Sequence, residues 1–135
     1  MNLTAAEKHL LTKMKISKRF PIVRFELRSS KEASLSSIAL NHVCMADINA
    51  TMEQVKSTAA LLQKLEQDGI INICYTLAVS ARSDYQVYYD SKLYAQLCEM
   101  TEEGKRNPNF LFDIPYIKRG VVTFTAYGRQ IYLVN

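Results

Sequence analysis

Two histidines and three cysteines are the residues best suited to metal or nucleophilic chemistry, and their spacing assembles no site. His9 and His42 fall in separate predicted helices, with no cysteine or carboxylate at ligand spacing, so no metal cluster is expected. His42 and Cys44 are two positions apart, and on a helix such side chains diverge. Cys44, Cys74 and Cys98 are odd in number and each sits among apolar neighbours, which suits small buried hydrophobes in a reducing compartment. There is no phosphate-cradling glycine loop and no G-x-S-x-G elbow, while Glu102 and Glu103 close a helix as solvated surface. The expectation is therefore a protein that is no enzyme and holds no cofactor.

Charge and aromatic rings offer more. Residues 1–31 hold Lys8, Lys13, Lys15, Lys18, Arg19, Arg24, Arg28 and Lys31 against only Glu7 and Glu26, whereas the whole chain carries +4. A basic N-terminal segment of this kind could face phosphates or an anionic partner. Tyr85, Tyr88 and Tyr89, with Tyr75 and Tyr94 nearby, form an aromatic cluster. Stacking on bases is one use for them, but core or dimer contact suits tyrosines on strands better.

The elements that must position these groups follow from periodicity. At 135 residues and 48% hydrophobic, the chain supports one core, so residues 1–135 read as a single domain. No apolar run approaches the roughly 18 residues of a bilayer span, and the N-terminus lacks a signal-peptide pattern, which predicts a cytoplasmic location. Thr4 and Glu7 form a capping box before a helix bearing Leu10, Leu11 and Met14. Val23, Phe25 and Leu27 alternate with charged residues as a half-buried strand. Ser29 and Glu32 give another capping signal, ahead of a helix marked by Leu35, Ile38, Ala39 and Val43.

The most informative stretch is residues 51–79. Thr51 and Gln54 form a capping box, and Val55, Thr58, Ala59, Leu62 and Leu65 line one helical stripe. Gly69 stands where a left-handed helix end is easiest for glycine. The period then switches to two through Ile71, Ile73, Tyr75, Leu77 and Val79. Residues 81–84 read as a hairpin tip and Tyr85, Val87 and Tyr89 as the returning strand. Val55, Leu62, Leu65, Ile71, Ile73 and Leu77 are the expected core. Asp90 caps a helix ended by Gly104, and residues 105–109 form a linker. The last stretch reads either as a hairpin about Tyr127-Gly128 or as a helix capped by Thr125, with the balance toward the helix.

The run LLQKLEQDGII resembles the end of the recognition helix and first wing strand of winged-helix DNA-binding domains, in their bacterial regulator branch. The segment FTAYGRQIY resembles a strand-to-helix ending found in many of them. The resemblance implies an α+β winged helix-turn-helix, with the helix-turn-helix and wing in residues 33–89 and flanking elements in 1–32 and 90–135. It implies sequence-selective binding of duplex DNA by a transcription regulator, with flanking helices building a homodimer. Lys56, Ser57, Ala60 and Lys64 would then read the groove from the exposed helix face, and Arg82 would be the wing contact. Two features depart from that family: the inter-helix connection is about seven residues, and the helix carries Glu53, Glu66 and Asp68 beside its lysines. They leave room for the alternative of a protein-interaction module, encoded by a phage or mobile element, that binds no DNA.

Overall fold

The computed structural model describes residues 3–15, 19–77 and 81–133. Both strong capping boxes form. Thr4 accepts from the Glu7 amide at 3.1 Å and Glu7 accepts from the Thr4 amide at 3.2 Å, opening α1 (Ala5–Met14). Thr51 and Gln54 exchange the same bonds at 3.2 and 3.0 Å before α2 (Met52–Gln67). Each box satisfies two amides that a helix start leaves without a carbonyl. After the Asp68 cap, Gly69 adopts φ +76°, the left-handed ending expected there.

Four strands, β1 (Phe20–Arg28), β2 (Ser36–Val43), β3 (Ile71–Cys74) and β4 (Ile114–Phe124), make one antiparallel sheet in the order β2-β1-β4-β3. The two central strands run in register from Phe20↔Val122 to Arg28↔Ile114. Between β3 and β4 lie a 3-10 turn (Arg82–Tyr85), α3 (Gln86–Tyr89) and α4 (Lys92–Gly104). Thr125 caps α5 (Ala126–Gly128), which continues as a π-helical turn, Arg129–Leu133, so the helical ending is the one adopted.

Apolar side chains bury on both sides of the sheet. One layer joins Val23, Phe25, Val43 and Ile117 to Tyr85, Tyr88, Leu93 and Leu97. The other joins Ile22, Ile71 and Val122 to Leu10, Leu11 and Met14 of α1 and to Leu62 and Leu65 of α2. The class is α+β, as expected. Of the expected core, Val55, Leu62, Leu65 and Ile71 are buried and Ile73 packs against it, but Leu77 is 50% exposed. Val79 and Lys18 lie outside the described residues.

Two expectations are corrected. The helix expected over residues 33–43 is replaced by strand β2. Ser29 does accept from the amides of Lys31 and Glu32, at 3.2 and 3.3 Å, but the turn it stabilises leads into a hairpin with β1. Two register irregularities explain the misreading: Val23↔Val43 is followed by Phe25↔Leu40 and then Glu26↔Ile38. Each inserts an extra residue in β2, which turns a two-residue alternation into the three- and four-residue steps of a helix.

The wing is the second correction. β3 pairs with β4, Ile71↔Phe124 through Cys74↔Val121, and residues 85–89 are helical. Tyr85 and Tyr88, three apart, are the fully buried rings, and their hydroxyls donate to the carbonyls of Gly120 and Pro21, both at 2.8 Å. The helix-turn-helix and wing order is thus absent from the described part of residues 33–89. Residues 114–120, over which no element was expected, form the first part of the central strand β4.

Candidate functional site at the free edge of the sheet

β2 has one neighbour, β1, so the outward amides and carbonyls of its other side meet no strand. It carries no Asp, Glu, Lys or Arg, and Ser36, Ser37, Ile38, Ala39 and Asn41 are exposed. α2 packs along β2, and two grooves open beside the strand, both bordered by α2 and both lined by Ala39 and Leu40.

The first groove, about 360 Å³, is apolar. Phe25, Leu27 and Leu40 of the sheet face Leu93, Leu97 and Met100 of α4, with Met52 at the start of α2. Ser91 positions α4 there by accepting from the Tyr94 amide at 3.1 Å while its hydroxyl donates to the Tyr88 carbonyl at 2.8 Å. Met52 and Met100 remain 42% and 40% exposed, an unusual placement for methionine outside a contact surface.

The second groove, about 400 Å³, runs between β2 and α2 and is more polar. Asn41, His42, Lys56 and Gln63 supply its polar groups, with Ala59 and Ala60 as small residues on the helix side. His42 adopts φ +51°, a left-handed conformation rare for residues with a Cβ and held here by surrounding contacts. Its amide donates to Asn41 Oδ1 and to the Tyr75 hydroxyl, each at 3.1 Å, and its Nδ1 lies 2.8 Å from that hydroxyl. The two rings stack with centroids 5.8 Å apart, and the Arg24 guanidinium lies 4.2 Å from the Tyr75 centroid while donating to Asn41 at 3.0 Å.

Burial lowers the His42 pKa, with Arg24 acting the same way and Glu66 opposing, so the ring is neutral near pH 7. Burial likewise pushes Tyr75 up to about 12, keeping it a phenol. The arrangement therefore offers hydrogen-bonding groups and the Lys56 ammonium to whatever occupies the groove.

Of the residues expected to read DNA, Lys56, Ser57, Ala60 and Lys64 follow one face of α2, and Arg82 lies in the 3-10 turn. Lys56 and Ala60 line the polar groove, and Ser57 is exposed one position along. Lys64 contacts the buried carboxylate of Glu7 at 3.3 Å and Asp68 at 3.6 Å. Burial alone would raise the Glu7 pKa, but bonds from Thr4 and the Lys64 ammonium outweigh it and hold the carboxyl below its ordinary value. Arg82 sits in the 3-10 turn with its guanidinium 5.8 Å from the Tyr89 ring, beside Arg119, which also approaches Tyr85 and Tyr89. His42 and Tyr75 were missed as partners because 33 residues separate them and a bulge, invisible in composition, brings them together.

Among the described residues, no group of three or more His, Cys, Asp or Glu could hold a metal ion. No described helix is long and apolar enough to cross a membrane. No curated protein and no solved structure matches the chain. A family model described as abortive infection alpha matches residues 1–134. With nearly the full length matched, the chain belongs to the abortive infection alpha family.

Proposed function

We propose that the chain serves abortive infection, the defence of bacterial cells against phage, as a protein-recognition module. One observation supports the choice of module over DNA reader: two of the three cations expected to meet DNA already have partners within the chain. Lys64 pairs with Glu7 and Asp68, the exposed Arg82 lies 5.8 Å from the Tyr89 ring, and Lys56 lines a groove. Phosphate contacts supply most of the affinity for duplex DNA and must converge on one surface. An uncharged edge strand beside an apolar groove that leaves Met52 and Met100 exposed suits a protein partner instead.

The competing reading, a duplex-DNA-binding regulator using Lys56, Ser57, Ala60, Lys64 and Arg82, makes a distinct forecast. It requires tight binding of duplex DNA at low salt that falls steeply as salt rises and weakens when Lys56 and Arg82 become alanine. Anisotropy titration of random-sequence duplex across a salt series separates the two. We expect weak binding insensitive to both substitutions; steep, substitution-sensitive binding overturns the module reading. In cells challenged with phage, expression should lower phage yield, and Ile38→Lys on the free edge should abolish the protection.

A further inference from the structure

We propose that a pocket between α1 and α2 binds a short-chain aliphatic carboxylate. Ala6, His9, Leu10 and Lys13 recur at three- and four-residue steps, so they share one face of α1. That face meets Thr58 and Leu61 of α2, Phe20 at the start of β1, and Cys44 and Met45 just past β2. The pocket holds about 210 Å³ and shares no lining residue with either groove beside β2. A ligand there is thus a second function, separate from partner recognition at β2.

Leu10, Phe20, Met45 and Leu61 give the pocket an apolar wall. Its polar groups include the His9 imidazole, the Lys13 ammonium and the Thr58 hydroxyl. None of these three side chains has a hydrogen bond or ion pair among the described residues. In the polar groove beside β2, by contrast, Tyr75 engages His42 and Arg24 engages Asn41. All three groups can donate and no Asp or Glu lines the pocket, so the complementary group is an anionic acceptor. Burial pushes the Cys44 thiol up to about 11 while Lys13 pulls it down, so the lysine charge reaches into the pocket and the thiol stays neutral. A carboxylate suits this set better than a phosphate: one permanent cation balances one negative charge, and no arginine lines the pocket to fork onto phosphate oxygens. At a water's share of about 30 Å³ the volume equals roughly seven waters, which suits a chain of about six carbons and excludes a drug-sized ligand.

The test titrates the isotopically labelled full chain with hexanoate, hexanol and hexylamine, which share one apolar body and differ in head group. Hexanoate should bind saturably, with amide shifts centred on Lys13, Met45 and Leu61. It should bind about tenfold more tightly than hexanol, with hexylamine weaker still. Lys13→Gln should weaken hexanoate by about tenfold and leave hexanol unchanged, because only the charged head uses the ammonium. Ala6→Leu, at an exposed position of α1, should fill the pocket and abolish binding of both, with circular dichroism showing the fold retained. Equal affinity for the three heads, or hexanoate binding that Lys13→Gln leaves unchanged, overturns the carboxylate site. Shifts centred on Met52 and Met100 overturn it too, by placing the ligand in the apolar groove. So does the absence of saturable binding at millimolar hexanoate, or binding that persists in a folded Ala6→Leu. Each of these failures leaves partner recognition at β2 standing, since Ile38→Lys and phage protection test that surface independently.

Discussion

At the scale of single residues, environment sorts groups that the sequence leaves equivalent. The three cysteines are all free, yet burial pushes the Cys44 thiol up to about 11. The Thr76 hydroxyl, 3.0 Å away, holds Cys74 below its ordinary value. Since the thiolate is the reactive form, alkylation near pH 7.5 followed by mass spectrometry should label Cys74 well before Cys44. Equal rates at the two would contradict these environments. His42 gives a pH effect of definite sign. Its folded pKa lies below the ordinary 6.5, so the unfolded chain binds more protons between the two values. The stability it contributes is present above about pH 6.5 and fades as pH falls through the folded value. Urea midpoints measured from about pH 7.5 to 5 should show this decline, and His42→Asn, which tolerates the left-handed backbone and does not titrate there, should flatten it.

At the scale of elements, two junctions hold the helices to the sheet. Thr125 donates its hydroxyl to the Gly69 carbonyl at 2.5 Å and accepts from the Gly128 amide at 2.8 Å, tying the end of α2 to the C-terminal turn. A Cβ on Gly128 would sit 2.0 Å from the Ile70 carbonyl oxygen, so one strand or turn must move. Gly128→Ala should lower stability by about 2 kcal/mol, read from thermal or denaturant unfolding. A change near zero would mean the junction is loose. The second junction is Glu7 with Lys64, linking α1 to α2. Glu7 is depressed when folded, so its contribution is full above about pH 4.5 and lost as pH falls through the lower folded value. Lys64→Ala should lower Tm and move the acid transition to higher pH, while Glu7→Gln should flatten the acid limb. A Lys64→Ala transition at unchanged pH would show that the Thr4 bonds alone set the carboxyl.

At the scale of the molecule, the elements from which a homodimer was expected cover themselves. α1 buries Leu10, Leu11 and Met14 against α2, α4 buries Leu93 and Leu97 against the sheet, and Tyr132 stacks on Phe124 and donates to the Lys8 carbonyl. The exposed apolar groups Ile38, Met52 and Met100 instead gather around β2. Light scattering at micromolar concentration should therefore give a mass near 15.4 kDa; a dimer resistant to Ile38→Lys would place an interface elsewhere. The sequence by itself determined what depends on neighbours within one or two helical turns. The capping boxes at Thr4 and Thr51, the stripe through Val55, Leu62 and Leu65, the Gly69 ending and the Thr125 cap are all satisfied by bonds and faces local in the chain. Tertiary structure decided strand partners. β3 could close on the residues just after it or on β4, some fifty positions later, and it pairs with β4, where Ile71 and Val122 pack together with α1 and α2. It also decided that residues 36–43 extend along β1 with two bulges, a pairing whose extra residues erase the very alternation that marks a strand. The candidate site inherits that division: Lys56 and Ala60 were legible on their helix, while the edge they face exists only once β2 has paired.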